Sequence, residues 1–246
     1  MALRDRVNER ATAWATRVAT RLTPDDVLKL ANSLLTTVDH VSERRWDAAK
    51  QRAAATSGDV RPDRIAALTR SMSLELGAAG AAVGAAAVAP GVGTVPTLAA
   101  TRAELGWFTS RAGDLILTIA AIHGRPDPTV DERRAWVLAV LIYGSSARDE
   151  FASTLNQAST GLDPVSRRLP LTTLQTANRL MSRTLVRRYG TRRGLVALGR
   201  VRPIGLGAAI GGSANYLAIR ALAQHADQFF ARLPYSAIDV DSRDIT

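Results

Sequence analysis

Along most of the chain, apolar residues recur every three or four positions, the spacing that gathers them on one side of an α-helix. Leu3, Val7, Ala11, Trp14, Val18 and Leu22 set that rhythm at the start. Thr23, Pro24, Asp25 and Asp26 then punctuate it. A threonine caps, a proline fits the first helical position, and two acids suit the positive end of the helix dipole. Val27, Leu30, Leu34, Val38 and Val41 form the stripe of the next helix, which fades in "AAATSGDVRPD", the linker before a central block from about Arg64 to Tyr143. No period-two alternation is long enough for a strand. The expected class is all-α: a multi-helix bundle with a central Gly/Ala-rich helical hairpin and no sheet.

The hairpin is expected in residues 76–101, which carry no charge and are mostly Ala and Gly. Pro90 and Pro96 interrupt them, and a proline removes a backbone donor and clashes with the preceding turn. Two helices joined by a bend near 89–96 are therefore expected, the second continuing to Gly124. "GRPDPT" reads as a turn, "VDERRAWVLAVLIYG" as an apolar helix with an acidic start, and "ASTGLDP" as another break. "LTTLQTANRLMSRTLVRRYG" is helical, with Leu171, Leu174, Asn178, Met181 and Leu185 on its inner stripe. A last helical stretch restarts after Pro203 and runs to about Leu233. The organisation expected is an N-terminal helical pair at 1–60, a helical core at 61–233, and an irregular acidic tail at 234–246.

The glycines are too few in lysine-bearing company for a phosphate loop, because the only lysines are Lys29 and Lys50. "GLGAAIGG" has the wrong glycine spacing for a dinucleotide site and no buried strand before it. A membrane span is weakly supported: the apolar residues of 76–101 would contribute only ~2–4 kcal/mol to insertion. Small residues in register are the stronger feature. Gly77, Gly80 and Gly84, with Gly207 and Gly211 in the second Gly-rich segment, allow close backbone approach. Tight helix packing is the preferred reading, ahead of shallow or re-entrant insertion in a bilayer.

Charge changes the picture more than overall composition does. The net charge is +10, and eleven Arg with no Asp or Glu lie between Asp163 and Asp227. Arg179, Arg183 and Arg187 recur every four residues and so share a helix face. With Arg188, Arg192, Arg193, Arg200 and Arg202 they form a candidate surface for an anionic partner, set against the plainer reading of a solvated basic face. A lipid surface or a membrane protein complex is favoured. Nucleic acid is less favoured, since no aromatics are interleaved for base stacking.

Candidate chemistry is sparse. Cysteine is absent, which excludes disulfides and thiolate sites. His40, His123 and His225 are scattered without metal-ligand spacing, so no metal and no cofactor are expected. His123, at a helix end, reads as a structural contact. Glu75 and Glu104 flank the hairpin and would serve as paired carboxylates if they faced each other; salt bridges to Arg70 or Arg102 are the plainer outcome. Asp114 and Asn215 sit in apolar surroundings and, if buried, must find hydrogen bonds. These four are the candidate ligand-binding set for a polar cavity.

"AGDLILTIAAIHGRPDPTVDERRAWVLAVLIYG" resembles the middle of the EcsC family of bacterial proteins, in its Asp-Leu-containing helix, short turn and acidic-start helix. The Tyr-Gly expected at the first helix end reads His123-Gly124 here, a departure. The Gly-rich segment and "VRPIGLGAAIGGSANYLAI" are also similar to that family, and the resemblance extends over about 65–233. It implies a largely helical protein without an established activity, named from an operon that also encodes an ABC transporter, and it carries over no catalytic residue. The N-terminus lacks the apolar run of a secretory signal. The reading is a non-enzymatic cytoplasmic protein, associated peripherally with the inner face of the plasma membrane or with a membrane complex. An enzyme or ligand binder with a polar cavity, and a nonspecific nucleic-acid binder, are the alternatives.

Overall fold

A computed structural model describes residues 23–88, 98–125, 127–159, 170–189 and 212–233; for 79–88, 98–102, 104, 189 and 212–215 it describes the helical backbone alone. The helix expected over 3–22 and the acidic tail lie outside the described residues. The elements are α1 (Pro24–Arg44), α2 (Trp46–Ala55), α3 (Arg61–Val88), α4 (Leu98–Ile122), α5 (Val130–Tyr143), α6 (Ala147–Ala158), α7 (Leu171–Tyr189) and α8 (Gly212–Arg232), with a 3₁₀ turn at Gly144–Ser146. No strand occurs among the described residues, and the protein is an all-α bundle. Among those residues no helix is long and apolar enough to cross a membrane.

Local chemistry sets the helix ends. At α1, Thr23 Oγ1 accepts from the Asp26 amide at 3.2 Å, while Asp26 Oδ2 accepts from the Thr23 amide at 2.9 Å. Thr129 and Glu132 repeat this reciprocal box at α5, at 3.2 and 2.7 Å. Each box satisfies two amides that have no partner inside the helix. Helix α3 runs to Val88 and α4 begins at Leu98; the bend expected near 89–96, with Pro90 and Pro96, lies outside the described residues. Gly58 turns the chain from α2 into α3 at φ +130°, a conformation few side chains tolerate.

One boundary differs from the sequence expectation. A single helix was expected from Pro24 into the Ala-rich linker, but the helix breaks at Arg45, whose φ and ψ are −104° and 0°. The break has a tertiary cause. It lets Trp46 donate from Nε1 to Asp127 Oδ1 at 3.0 Å, and Lys50 reaches the same oxygen at 3.0 Å.

Helices α4 and α5 form the centre. Helix α5 is buried from Ala135 through Ile142 on every side, as a helix apolar all round must be. Helices α1, α2, α3 and α8 pack on α4; α1, α6 and α7 pack on α5; α3 and α8 lie along each other over the longest contact. Buried side chains of α1 and α2 belong to the same core as those of the later helices. Helices α1 and α4 approach very closely: a Cβ built on Gly113 would stand 2.6 Å from Val41 Cγ1. An aromatic group joins α5, α6 and α8, with Trp136 edge-on to Phe230 at 5.4 Å and Phe151 against Phe229 at 5.7 Å.

Candidate functional site

The basic residues separate into two kinds once the helices are in place. The first kind closes helix ends. The last carbonyls of an α-helix lack intrahelical partners and carry its negative pole, so a guanidinium is a fitting donor there. Arg125 donates to the Phe230 and Leu233 carbonyls at the end of α8, at 2.6 and 2.7 Å, with its guanidinium also against the Phe230 ring. Arg133 donates to the Ser42 carbonyl near the end of α1 at 2.6 Å. Arg64 donates to the Ala53 carbonyl of α2, and Arg188 to the Ile142 carbonyl of α5 at 3.3 Å. Each of these arginines joins an element to the end of a different helix.

The second kind faces outward on α7. Leu174, Ala177, Asn178, Met181 and Leu185 are buried, which fixes the rotation of the helix, whereas Leu171, expected on the same stripe, is exposed at its first position. Arg179, Arg183 and Arg187 are exposed on the opposite side. None of the three forms a salt bridge among the described residues; Arg179 donates only to the Thr176 hydroxyl within its own helix, at 3.0 Å. Successive members stand about 6 Å apart along the axis. Arg188, grouped with them on sequence, is the exception already noted: its guanidinium reaches back to α5. Arg192, Arg193, Arg200 and Arg202 lie outside the described residues.

The inner side of α7 carries a separate polar junction. Arg134 of α5 pairs with Asp39 of α1 at 2.5 Å and donates to the Ser182 hydroxyl of α7 at 3.1 Å. Buried Asn178 donates to the Asp131 carbonyl at 2.9 Å. Charge and amide together hold α1, α5 and α7 in register, so the outward row stands on a fixed support.

Of the four candidate cavity residues, two come together. Arg111 of α4 lies between Glu75 of α3 and Asp114 one turn along its own helix, pairing with both. Arg45, at the α1–α2 break, stands 3.9 Å from the other Asp114 oxygen. Two carboxylates thus meet two guanidiniums. Arg70, one partner considered on sequence, forms no salt bridge with Glu75 among the described residues, and the side chain of Arg102, the other, lies outside those described. The side chains of Glu104 and Asn215 lie outside those described. So do the surroundings of Gly80 and Gly84, and Gly207 and Gly211 altogether; Gly77 is half-buried on α3. The close-packing glycine that is described, Gly113, was not among the candidates. Its signal was the seven-residue step from Gly106 within an otherwise bulky apolar helix.

His123 makes a structural contact across the bundle. Its Nε2 lies 2.8 Å from Asp227 Oδ1 of α8, and its ring is tilted on Phe230. Burial depresses its pKa, outweighing the upward pull of the Asp227 carboxylate. Burial conversely raises Glu132, against the lowering effect of its bonds to Thr129. Among the described residues no group of three or more His, Asp or Glu is placed to hold a metal ion. No family model matches the chain, and no curated protein or solved structure matches it either.

Proposed function

We propose that the protein docks reversibly on an anionic surface, a bilayer carrying acidic lipids or the acidic face of a membrane complex, with α7 as the contact. The observation that carries this reading is the outward Arg179–Arg183–Arg187 row, fixed by the buried stripe beneath it and without carboxylate partners among the described residues. Each guanidinium contributes about 1 kcal/mol beside an acidic leaflet, so three give roughly 3 kcal/mol, a weak and reversible attachment. Salt weakens such contacts because the charges are exposed. The resemblance to EcsC proteins, with their operon link to a transporter, agrees with work at a membrane.

Co-sedimentation with vesicles tests the reading. Recovery on vesicles containing acidic lipid should exceed recovery on neutral vesicles at low salt and fall as salt rises. The Arg179→Gln, Arg183→Gln, Arg187→Gln triple variant should lose most of the difference. Equal recovery on both vesicle types rejects the proposal. Stronger retention by duplex nucleic acid than by acidic vesicles would redirect it to the nucleic-acid alternative.

A further inference from the structure

A groove of about 630 Å³ runs between α3 and α8. That size lies within the range of about 300–1,000 Å³ common for small-molecule sites. Its floor is apolar, with Ile65 and Ala223 buried and Pro62, Ala66 and Ala221 beside them. Its polar lining includes two arginines. Arg70 projects from α3 and Arg220 from α8, and neither forms a salt bridge among the described residues. Arg220 is braced on Tyr216, its carbon 5.6 Å from the ring centre and one nitrogen 3.2 Å from the phenol oxygen. That bracing uses one of five guanidinium hydrogens and leaves the rest for an incoming acceptor. Among the described residues the groove's single carboxylate is Asp227, one oxygen of which lies 2.8 Å from His123 Nε2. Gln224 adds a neutral amide to the lining.

We infer that this groove binds an anionic amphiphile: a phosphate monoester or carboxylate head held by Arg70 and Arg220, with a short apolar body along Ile65, Ala66 and Ala221. Two guanidiniums from different helices suit a planar or tetrahedral oxyanion because each presents paired donors. The apolar floor selects a ligand with a hydrocarbon part over the bare ion. The inference stands apart from the α7 reading, since it uses other residues on other helices.

Calorimetric titration of the whole chain with octyl phosphate, kept below its micelle concentration, tests it. Octyl phosphate should bind saturably, and inorganic phosphate and 1-octanol each at least about tenfold more weakly. The Arg70→Gln, Arg220→Gln double variant should lose about tenfold or more, as expected for charge-assisted hydrogen bonds. Both positions are exposed, so circular dichroism should be unchanged. Ala221→Trp, which fills the groove without altering charge, should also abolish binding. Vesicles containing phosphatidic acid separate the two ligand sources. If the head belongs to a membrane lipid, octyl phosphate competes with the vesicles and the double variant sediments less. If it belongs to a free metabolite, vesicle recovery follows the α7 variants alone. The inference is overturned if octyl phosphate shows no saturable binding, if octanol binds equally well, or if the double variant keeps wild-type affinity.

Discussion

Gly113 and Val41 decide how near α1 and α4 come. Replacing a helical glycine with alanine ordinarily stabilises by about 1 kcal/mol. At Gly113 the added methyl would meet the stiff, branched Val41 side chain at 2.6 Å, so Gly113→Ala should instead destabilise by about 1–3 kcal/mol. Gly106 is the internal control: its nearest neighbour, Thr37 Oγ1, is 3.7 Å away, and Gly106→Ala should be neutral or stabilising. Thermal unfolding of the two variants reads the contrast, and equal shifts would show that the approach is not tight. Sequence reasoning looked for glycines in the Gly-rich segments and overlooked this one. Its one mark in the sequence, the seven-residue step from Gly106, falls outside those segments. His123 yields a second prediction. Its folded pKa lies below the ordinary 6.5, so the unfolded chain binds the extra proton first. The stability it contributes is complete above about pH 6.5 and is lost as pH falls from there toward the depressed value. Denaturant midpoints measured across that window should slope less in His123→Gln than in the parent chain. Asp26 and Asp127, whose pKa values are lowered from 3.8 by hydrogen bonds to Thr23 and Trp46, act only at more acidic pH.

At the scale of the element, the cap that starts α1 was legible and the side chains that close helix ends were not. Thr23 and the acids after Pro24 announce the start of α1 because a cap needs particular side chains at a fixed spacing; Thr129 and Glu132 follow the same pattern, though only the acidic start of α5 was read from the sequence. A carbonyl at a helix end is the same group in every residue, so nothing in the chain marks Phe230, Ser42 or Ile142 as an acceptor for a distant arginine. The break at Arg45 was hidden for a related reason: it contains neither glycine nor proline, and its cause is Asp127, far along the chain. Arg125 offers the clearest test. Arg125→Met keeps much of the aliphatic stem but strands the Phe230 carbonyl of α8 and the Leu233 carbonyl just beyond it, and should cost about 2–4 kcal/mol. Arg125→Lys should recover part of that loss, since an ammonium reaches fewer acceptors in one plane. Hydrogen exchange localises the effect: protection should fall first in the last turn of α8. Uniform loss through the bundle would mean that Arg125 serves the core rather than the helix end.

For the molecule as a whole, the all-α class and most of the buried stripe of α7 were readable, because both rest on periodicity. What composition could not separate was one arginine from another. The charge excess between Asp163 and Asp227 looked uniform, yet Arg188 closes α5 while Arg179, Arg183 and Arg187 face out. The closing arginines reach across long stretches of sequence, Arg125 to a carbonyl 108 positions on and Arg133 to one 91 positions back. Such clasps make covalent continuity dispensable. A chain nicked once in the 160–169 interval should therefore migrate as two fragments on a denaturing gel yet elute as one particle from a sizing column. The amino-terminal fragment would retain its carboxy-terminal partner through Arg125, Arg134 and the Phe151–Phe229 aromatic contact, as two halves of one clasped object.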